Sequence, residues 1–316
     1  MLQNTKESII VGGGITGLIW AFYHPRFKIF TPLVGGQFSK KQLVLLHDTV
    51  ETEKLMKDLG LTAKKRAVKL GFYYKGWVHD YQNEKINEIV IKKKMTEWDK
   101  PLSNLKTTSS SMSTADIDDL QILNILDVDL NEVIKKLETT AKIVNAIVTE
   151  INPTSVITKL EPDSKDFQYV KYDKLVSTIA APYFWKTWKG PANFNSLQFE
   201  ALPTTNVEIK ECPQYFDSDY DIIYYDDSVP FSRVSKMENS YVIEFTGEVP
   251  EQWCKEMTEK ASLTMLNRNV VKFGRIFENV KNSSPSKNIV FSGRFSQWKY
   301  GIVVEHVIKQ ALSTKL

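Results

Sequence analysis

A chain of 316 residues can bury a sizeable core, in one large domain or in two interleaved ones. Its 42% apolar and 25% charged content are those of an ordinary globular protein, and a formal net charge of +3 is too small to dictate a partner. Cys212 and Cys254 form neither a metal quartet nor a redox CxxC pair, no apolar run approaches the roughly 20 residues that span a bilayer, and no signal peptide precedes the first strand, so a cytoplasmic protein in a reducing compartment is expected.

The first element is Ile9-Ile10-Val11, a short apolar run that reads as a buried parallel strand. Gly12-Gly13-Gly14-Ile15-Thr16-Gly17 follows with the spacing of a dinucleotide-binding turn. Gly12 permits the tight exit from the strand, Gly14 lets a pyrophosphate approach without meeting a Cβ, and Gly17 lets the next helix lie close to the sheet. That helix opens at Ile15 and Thr16 with unpaired N–H groups and a partial positive charge. It continues through Tyr23 and stops before Pro25, and Phe27 to Thr31 is a second strand. Thr31 stands where an acidic residue ordinarily holds the ribose hydroxyls; it offers a hydroxyl without the charge. Gly35 and Gly36 then let the backbone pass close to a flat or anionic group.

GGGITGL followed by VGGQ resembles the flavin-binding signature of the FAD-dependent amine oxidase superfamily, which includes protoporphyrinogen oxidase and UDP-galactopyranose mutase. The resemblance implies FAD as cofactor, because a plain NAD site has no use for the VGG segment. It places Gly12, Gly14, Ile15, Thr16, Gly17, Thr31, Gly35, Gly36 and Gln37 at that cofactor. In the superfamily the second glycine pair is normally followed by Arg or Asn, where this chain has Gln37.

Farther on, Asp48 or Thr49 is positioned to cap a helix carried by Glu51 to Leu59 and ended by Gly60. His47, just ahead of it, is either a packed or exposed loop histidine, which is favoured, or a flavin-side or substrate group. Val68 to Val78 predicts a hairpin with Lys75-Gly76 at its turn. Lys64-Lys65-Arg66 and Lys92-Lys93-Lys94, interleaved with Tyr73, Tyr74, Trp77, Tyr81 and Trp98, read as solvated charges and core aromatics or as a single-strand nucleic-acid platform; the first is favoured. Ser103 to Thr114 reads as a loop, and helical spacing is expected over Asp116 to Thr139.

Strands are then expected at Lys142 to Val144, Ile147 to Ile151, Ser155 to Thr158 and Tyr172 to Ile179. Their order after GGGITG and VGG resembles the same superfamily. It implies that Val148 backs the adenine and that Thr178, in the YDKLVSTI strand, returns to the nucleotide. Residues 183 to 265 read as a substrate-facing sheet followed by a helix over Pro250 to Leu266. Arg233 in that sheet either anchors an anionic substrate or pairs across strands with Glu244.

Asn288 to Phe291 closes the pattern as a strand, followed by a Ser292-Gly293-Arg294 turn and a helix over Val303 to Leu312. This ending resembles the mutase-like version of the superfamily, and it implies cofactor contacts at Gly293, Arg294, Gly301, Ile302 and Val303. The expected fold is α/β: a Rossmann-like FAD-binding domain (1–61, 119–182, 270–316) interleaved with a smaller substrate domain (62–118, 183–269) on an antiparallel sheet. The resemblance implies an FAD-dependent oxidoreductase removing a hydride from a C–N bond. The alternatives are a mutase-like, redox-neutral reaction on a nucleotide sugar and a flavoprotein that binds nucleic acid or a modified nucleotide. Candidate substrate contacts are Tyr73, Trp77, Arg233 and Tyr300, since a site over a flavin needs aromatic walls and a charged anchor. The sequence names no catalytic base and no metal site.

Overall fold

The computed structural model describes residues 6–36, 46–74, 76–80, 123–191, 198–225, 229–276, 280, 282–299 and 302–314. Strand β1 (Glu7–Gly14), helix α1 (Ile15–Tyr23) and strand β2 (Lys28–Gly35) follow the strand-turn-helix-strand expectation. Helix α2 (Val50–Asp58) starts at Thr49, whose hydroxyl accepts from the Thr52 amide at 3.3 Å. It ends in a Schellman arrangement: Gly60, at φ +67°, donates to Lys57 O, and Leu61 donates to Met56 O. Strands β3 (Lys64–Val68), β4 (Leu70–Tyr74) and β5 (Trp77–Asp80) come next, and Tyr74 pairs with Trp77 across the expected hairpin turn.

The helix expected over Asp116 to Thr139 is corrected. Residues 116–122 lie outside the description, and β6 (Leu123–Asp127) is a strand antiparallel to β3. Only then does α3 (Leu130–Thr140) begin, with Asp129 accepting from the Asn131 amide at 2.8 Å. The apolar spacing around Ile125 and Leu126 suits either structure, and pairing with β3 and with Leu46 O decides it.

Strands β7 (Lys142–Asn145), β8 (Ile147–Asn152) and β9 (Ser155–Lys159) fall where expected, while β10 (Phe167–Ser177) begins before the expected Tyr172 because residues 167–171 pair with β9. Helix α4 (Ala181–Thr187), with proline in its first turn, replaces the start of the expected second sheet. That sheet follows as β11 (Ala201–Ile209), β12 (Ile222–Tyr225), β13 (Arg233–Lys236) and β14 (Tyr241–Thr246). Helix α5 (Glu251–Lys260) is shorter than expected, because Leu266 already belongs to β15 (Met265–Ile276). Strand β16 (Ile289–Phe291) and α7 (Val304–Ser313) follow the expectation, and the expected turn at Ser292 to Arg294 leads into a short helix, α6 (Arg294–Gln297), not expected from the sequence.

Among the described residues the strands form two seven-stranded sheets and one pair. In the first, β7, β2, β1, β10 and β16 are mutually parallel neighbours, and the N-terminal half of β10 turns antiparallel to join β9 and β8. The second runs β15-β11-β14-β13-β12-β4-β5 and is antiparallel except where β12 meets β4. Apolar groups from α1, α3 and α7 cover one face of the parallel sheet; Phe184, Trp185 and Trp188 help cover the other.

A buried polar chain locks the C-terminal elements to α1. Trp20 Nε1 donates to Ser292 Oγ at 2.6 Å, Ser292 donates to Gln310 Oε1 at 2.8 Å, and Gln310 Nε2 donates to Phe291 O at 3.0 Å. Ser292→Ala leaves the fully buried Trp20 N–H unsatisfied, so a loss of about 1–3 kcal/mol is expected in denaturant unfolding.

Candidate dinucleotide site

The site is assembled at the carboxyl ends of the parallel strands, where ligands bind in open α/β sheets. A cavity of about 660 Å³ opens there, lined by the Gly12 to Thr16 turn, Thr31, Leu33, Gly36, Thr178, Arg294 and Ile302 to Val304. This volume falls within the ~300–1,000 Å³ typical of small-molecule and cofactor sites. Its far side comes from α4 and the second sheet: Tyr183, Thr204, Arg233, Glu244 and Val271 to Gly274.

The turn fits a pyrophosphate on three counts. Gly12 sits at φ +109°, a region that L side chains avoid. A Cβ on Gly17 would stand 2.1 Å from Gly12 O, so α1 can approach the turn only with glycine there. A Cβ on Gly14 would meet nothing within 4 Å, which leaves the backbone open toward the cavity. The N-terminus of α1 has neither a side-chain cap nor an acidic residue in its first turn, so its N–H groups remain available to an anion.

Other sequence-predicted residues hold the turn in place, and of these Gly36 and Thr178 also line the cavity. Gly17 lies behind it, and Gly35, at φ +82°, leads into Gly36, whose Cβ would come 3.2 Å from Gly14 Cα. The Thr178 amide donates to Val11 O at 2.9 Å, and its hydroxyl lies 3.0 Å from Gly12 O, clasping the turn to β10. Gly293, at φ +84°, passes so close to α1 that a Cβ would stand 2.7 Å from Thr16 Oγ1. Thr31 reaches the cavity, but its hydroxyl donates to Leu33 O at 2.7 Å, so its proton is already committed. Val148 sits on β8 opposite Thr158, outside the lining. Gln37, Tyr300 and Gly301 lie outside the described residues.

Of the substrate candidates, Arg233 lines the cavity and also makes the cross-strand pair: its guanidinium donates to Glu244 Oε2 at 2.6 Å, in register between β13 and β14. Tyr73 is drawn instead into aromatic packing with Tyr215 and Tyr225, at 5.9 and 5.4 Å, and Trp77 is 75% exposed on the edge strand β5. Neither lines the cavity. Sequence reasoning missed Tyr183, Thr204 and the stretch Val271 to Gly274. A signal was there in Gly274, inside a strand pattern: a Cβ on it would meet Thr204 Oγ1 at 2.2 Å.

Helix α7 presents its N-terminus to the same cavity, and His47 braces it from α2's side: its Nδ1 is 2.7 Å from Glu305 Oε1. His47 is therefore packed against α7 rather than against the cavity. Burial pushes the Glu305 carboxyl up, but the His47 bond, a backbone N–H and the charges of His47 and His306 outweigh it and hold it below its ordinary 4.5. A carboxyl lowered on folding stabilises above its unfolded value, and that contribution is lost as pH falls through the lower folded value. His47→Ala should therefore cost about 1 kcal/mol at neutral pH, with the difference from the parent shrinking in acid, read by thermal unfolding across pH.

Of the basic cluster read as solvated charge, with a nucleic-acid platform as the alternative, Lys65 pairs with Asp48 at 3.1 Å and with Glu53, and Arg66 pairs with Asp221; Lys92 to Lys94 lie outside the described residues. No group of residues able to hold a metal ion occurs among the described residues, and no described helix is long and apolar enough to cross a membrane.

No family model matches the chain, and no curated protein matches it. Solved structures do. The fold is similar to that of reduced UDP-galactopyranose mutase, with a TM-score of 0.67 at 11% identity over 98% of this chain and 92% of that one. The fold is shared. A fatty acid isomerase from P. acnes gives a TM-score of 0.62 at 12% identity over 98% of both chains. A p-nitrophenol 4-monooxygenase from Pseudomonas putida gives 0.58 at 10% identity, over 97% of this chain and 78% of that one. At such identities the likeness establishes the fold, and it is the mixed α/β fold expected from the glycine turn.

Proposed function

We propose that this chain is a flavoenzyme that binds FAD in the cavity at the Gly12 to Gly17 turn. The observation that carries this reading is the meeting of two helix N-termini, those of α1 and α7, in one cavity lined at Gly12 to Gly14 by bare glycine backbone. Gly12 to Thr16 would hold the pyrophosphate, Thr31, Leu33 and Gly36 the adenosine side, and Arg294 with Ile302 and Val303 the ring side. FAD, when bound, supplies the electron-transfer or nucleophilic chemistry; the chain binds it, orients a substrate and limits water. The same reading divides the chain into two interleaved domains, 1–61, 119–182 and 270–316 against 62–118 and 183–269, with β15 running unbroken through the boundary at residue 270.

The reaction read from the sequence, oxidation of a C–N bond in an amine or amino acid-like substrate, is supported by the aromatic walls Tyr183, Phe273 and Phe295. The mutase-like alternative is favoured by a different observation, the cations Arg233, Lys272 and Arg294 in the same lining. The pairing of Lys65 and Arg66 with carboxylates supports a small molecule rather than a nucleic acid as partner. A visible spectrum of the purified protein, then anaerobic dithionite reduction and timed exposure to air, tests all of this. Flavin bands with fast reoxidation are expected for an oxidase, and slow reoxidation for a mutase or for another electron acceptor. A protein that shows no bands and takes up no added FAD would overturn the proposal.

A further inference from the structure

The cavity's titratable lining among the described residues is Tyr183, Arg233, Glu244, Lys272 and Arg294, three cations against one carboxylate. Two of the cations are engaged within the wall. Arg233 donates to Glu244 at 2.6 Å, and Arg294 donates to Gly274 O at 2.8 Å while lying over the Phe295 ring. Lys272 differs. Its ammonium lies 5.4 Å from the Tyr183 ring centroid and 5.7 Å from that of Phe273, and no carboxylate among the described residues stands within ion-pair distance of it. Ring faces attract a cation but leave its three N–H donors without a strong acceptor.

The two rings come from different elements of the same wall, Tyr183 from α4 and Phe273 from β15, and meet edge to face at 5.6 Å. They form an apolar corner beside an ammonium. A ligand that places an anionic group on Lys272 and a planar apolar part against Tyr183 and Phe273 satisfies both, whereas a bare ammonium ligand meets the surplus positive charge.

We infer that Lys272, set in the Tyr183 and Phe273 corner, anchors an anionic group, carboxylate or phosphate, on the substrate of this cavity. The inference rests on the reading of the cavity as a flavoenzyme site and narrows it: a simple amine is disfavoured, and an amino acid-like or phosphorylated substrate is favoured. Lys272 is itself exposed, so solvent moderates its pull and the expected effect is moderate.

The test is calorimetric titration of the full chain, as purified, with benzoate, phenyl phosphate, benzamide and benzylamine, with flavin content measured separately by absorbance. Both anions, or one of them, should bind at least about tenfold more tightly than benzamide or benzylamine, and Lys272→Met should abolish that margin while Lys272→Arg keeps it. Tighter binding of benzoate assigns a carboxylate; tighter binding of phenyl phosphate assigns a phosphate. Benzylamine binding as well as the anions, neither anion binding, or Lys272→Met leaving anion affinity unchanged would each overturn the inference. Lys272-dependent anion binding by a chain that takes up no FAD would instead remove the flavin reading alone.

Discussion

Gly14→Asp is expected to give a fully folded protein that carries no flavin. Gly14 has φ −71° and ψ 176°, extended backbone open to any residue, and a Cβ there meets nothing within 4 Å. It is also the N-cap of α1, a helix without a side-chain cap. An aspartate at this position can accept from the first-turn N–H groups and interact favourably with the helix dipole, a gain of about 0.3–1 kcal/mol. The same carboxylate would occupy the donors offered to a pyrophosphate and repel its charge. Unfolding temperature should therefore hold or rise while the visible flavin bands disappear. Gly14→Asn, with similar size and no charge, should lose less flavin. Retention of stoichiometric flavin by the aspartate variant would sink the assignment of the turn.

The parts of this fold that were legible in the sequence are those whose physics is local. The glycine turn, the Thr49 cap, the Gly60 helix stop and the Tyr74 to Trp77 hairpin each depend on a few adjacent residues with restricted backbone choices. Strand β6 was not legible, because Leu123, Ile125 and Leu126 satisfy helical spacing until β3 pairs with them. Tyr73 and Trp77 failed as site residues for a related reason. Aromatic type alone does not separate a core side chain from a cavity wall, and contacts with Tyr215 and Tyr225, distant in sequence, settled Tyr73. Arg233 was ambiguous until the register of β13 against β14 placed Glu244 opposite it. The stretch Val271 to Gly274 of the far wall escaped because it lies on a strand, β15, whose local sign of a close approach was one internal glycine.

Gly17→Ala should produce the opposite pairing of effects, loss of stability together with loss of flavin. Helix propensity alone favours alanine by about 1 kcal/mol, so intrinsic preference predicts a more stable α1. Packing opposes it. The new Cβ would stand 2.1 Å from Gly12 O, a backbone atom that cannot swing aside, and Gly12 is held at φ +109° with its carbonyl 3.0 Å from the Thr178 hydroxyl. Relief requires α1 to lift or the turn to open. Lifting α1 disturbs Leu18, Ile19 and Trp20, all fully buried, and opening the turn removes the cradle. The net cost should be about 2–3 kcal/mol. Because loss of a bound ligand lowers apparent stability by itself, the comparison belongs between flavin-free forms of both proteins in urea unfolding. A flavin-free variant within about 0.5 kcal/mol of its parent would mean that the contact relaxes cheaply, and that Gly17 serves the helix no better than alanine would.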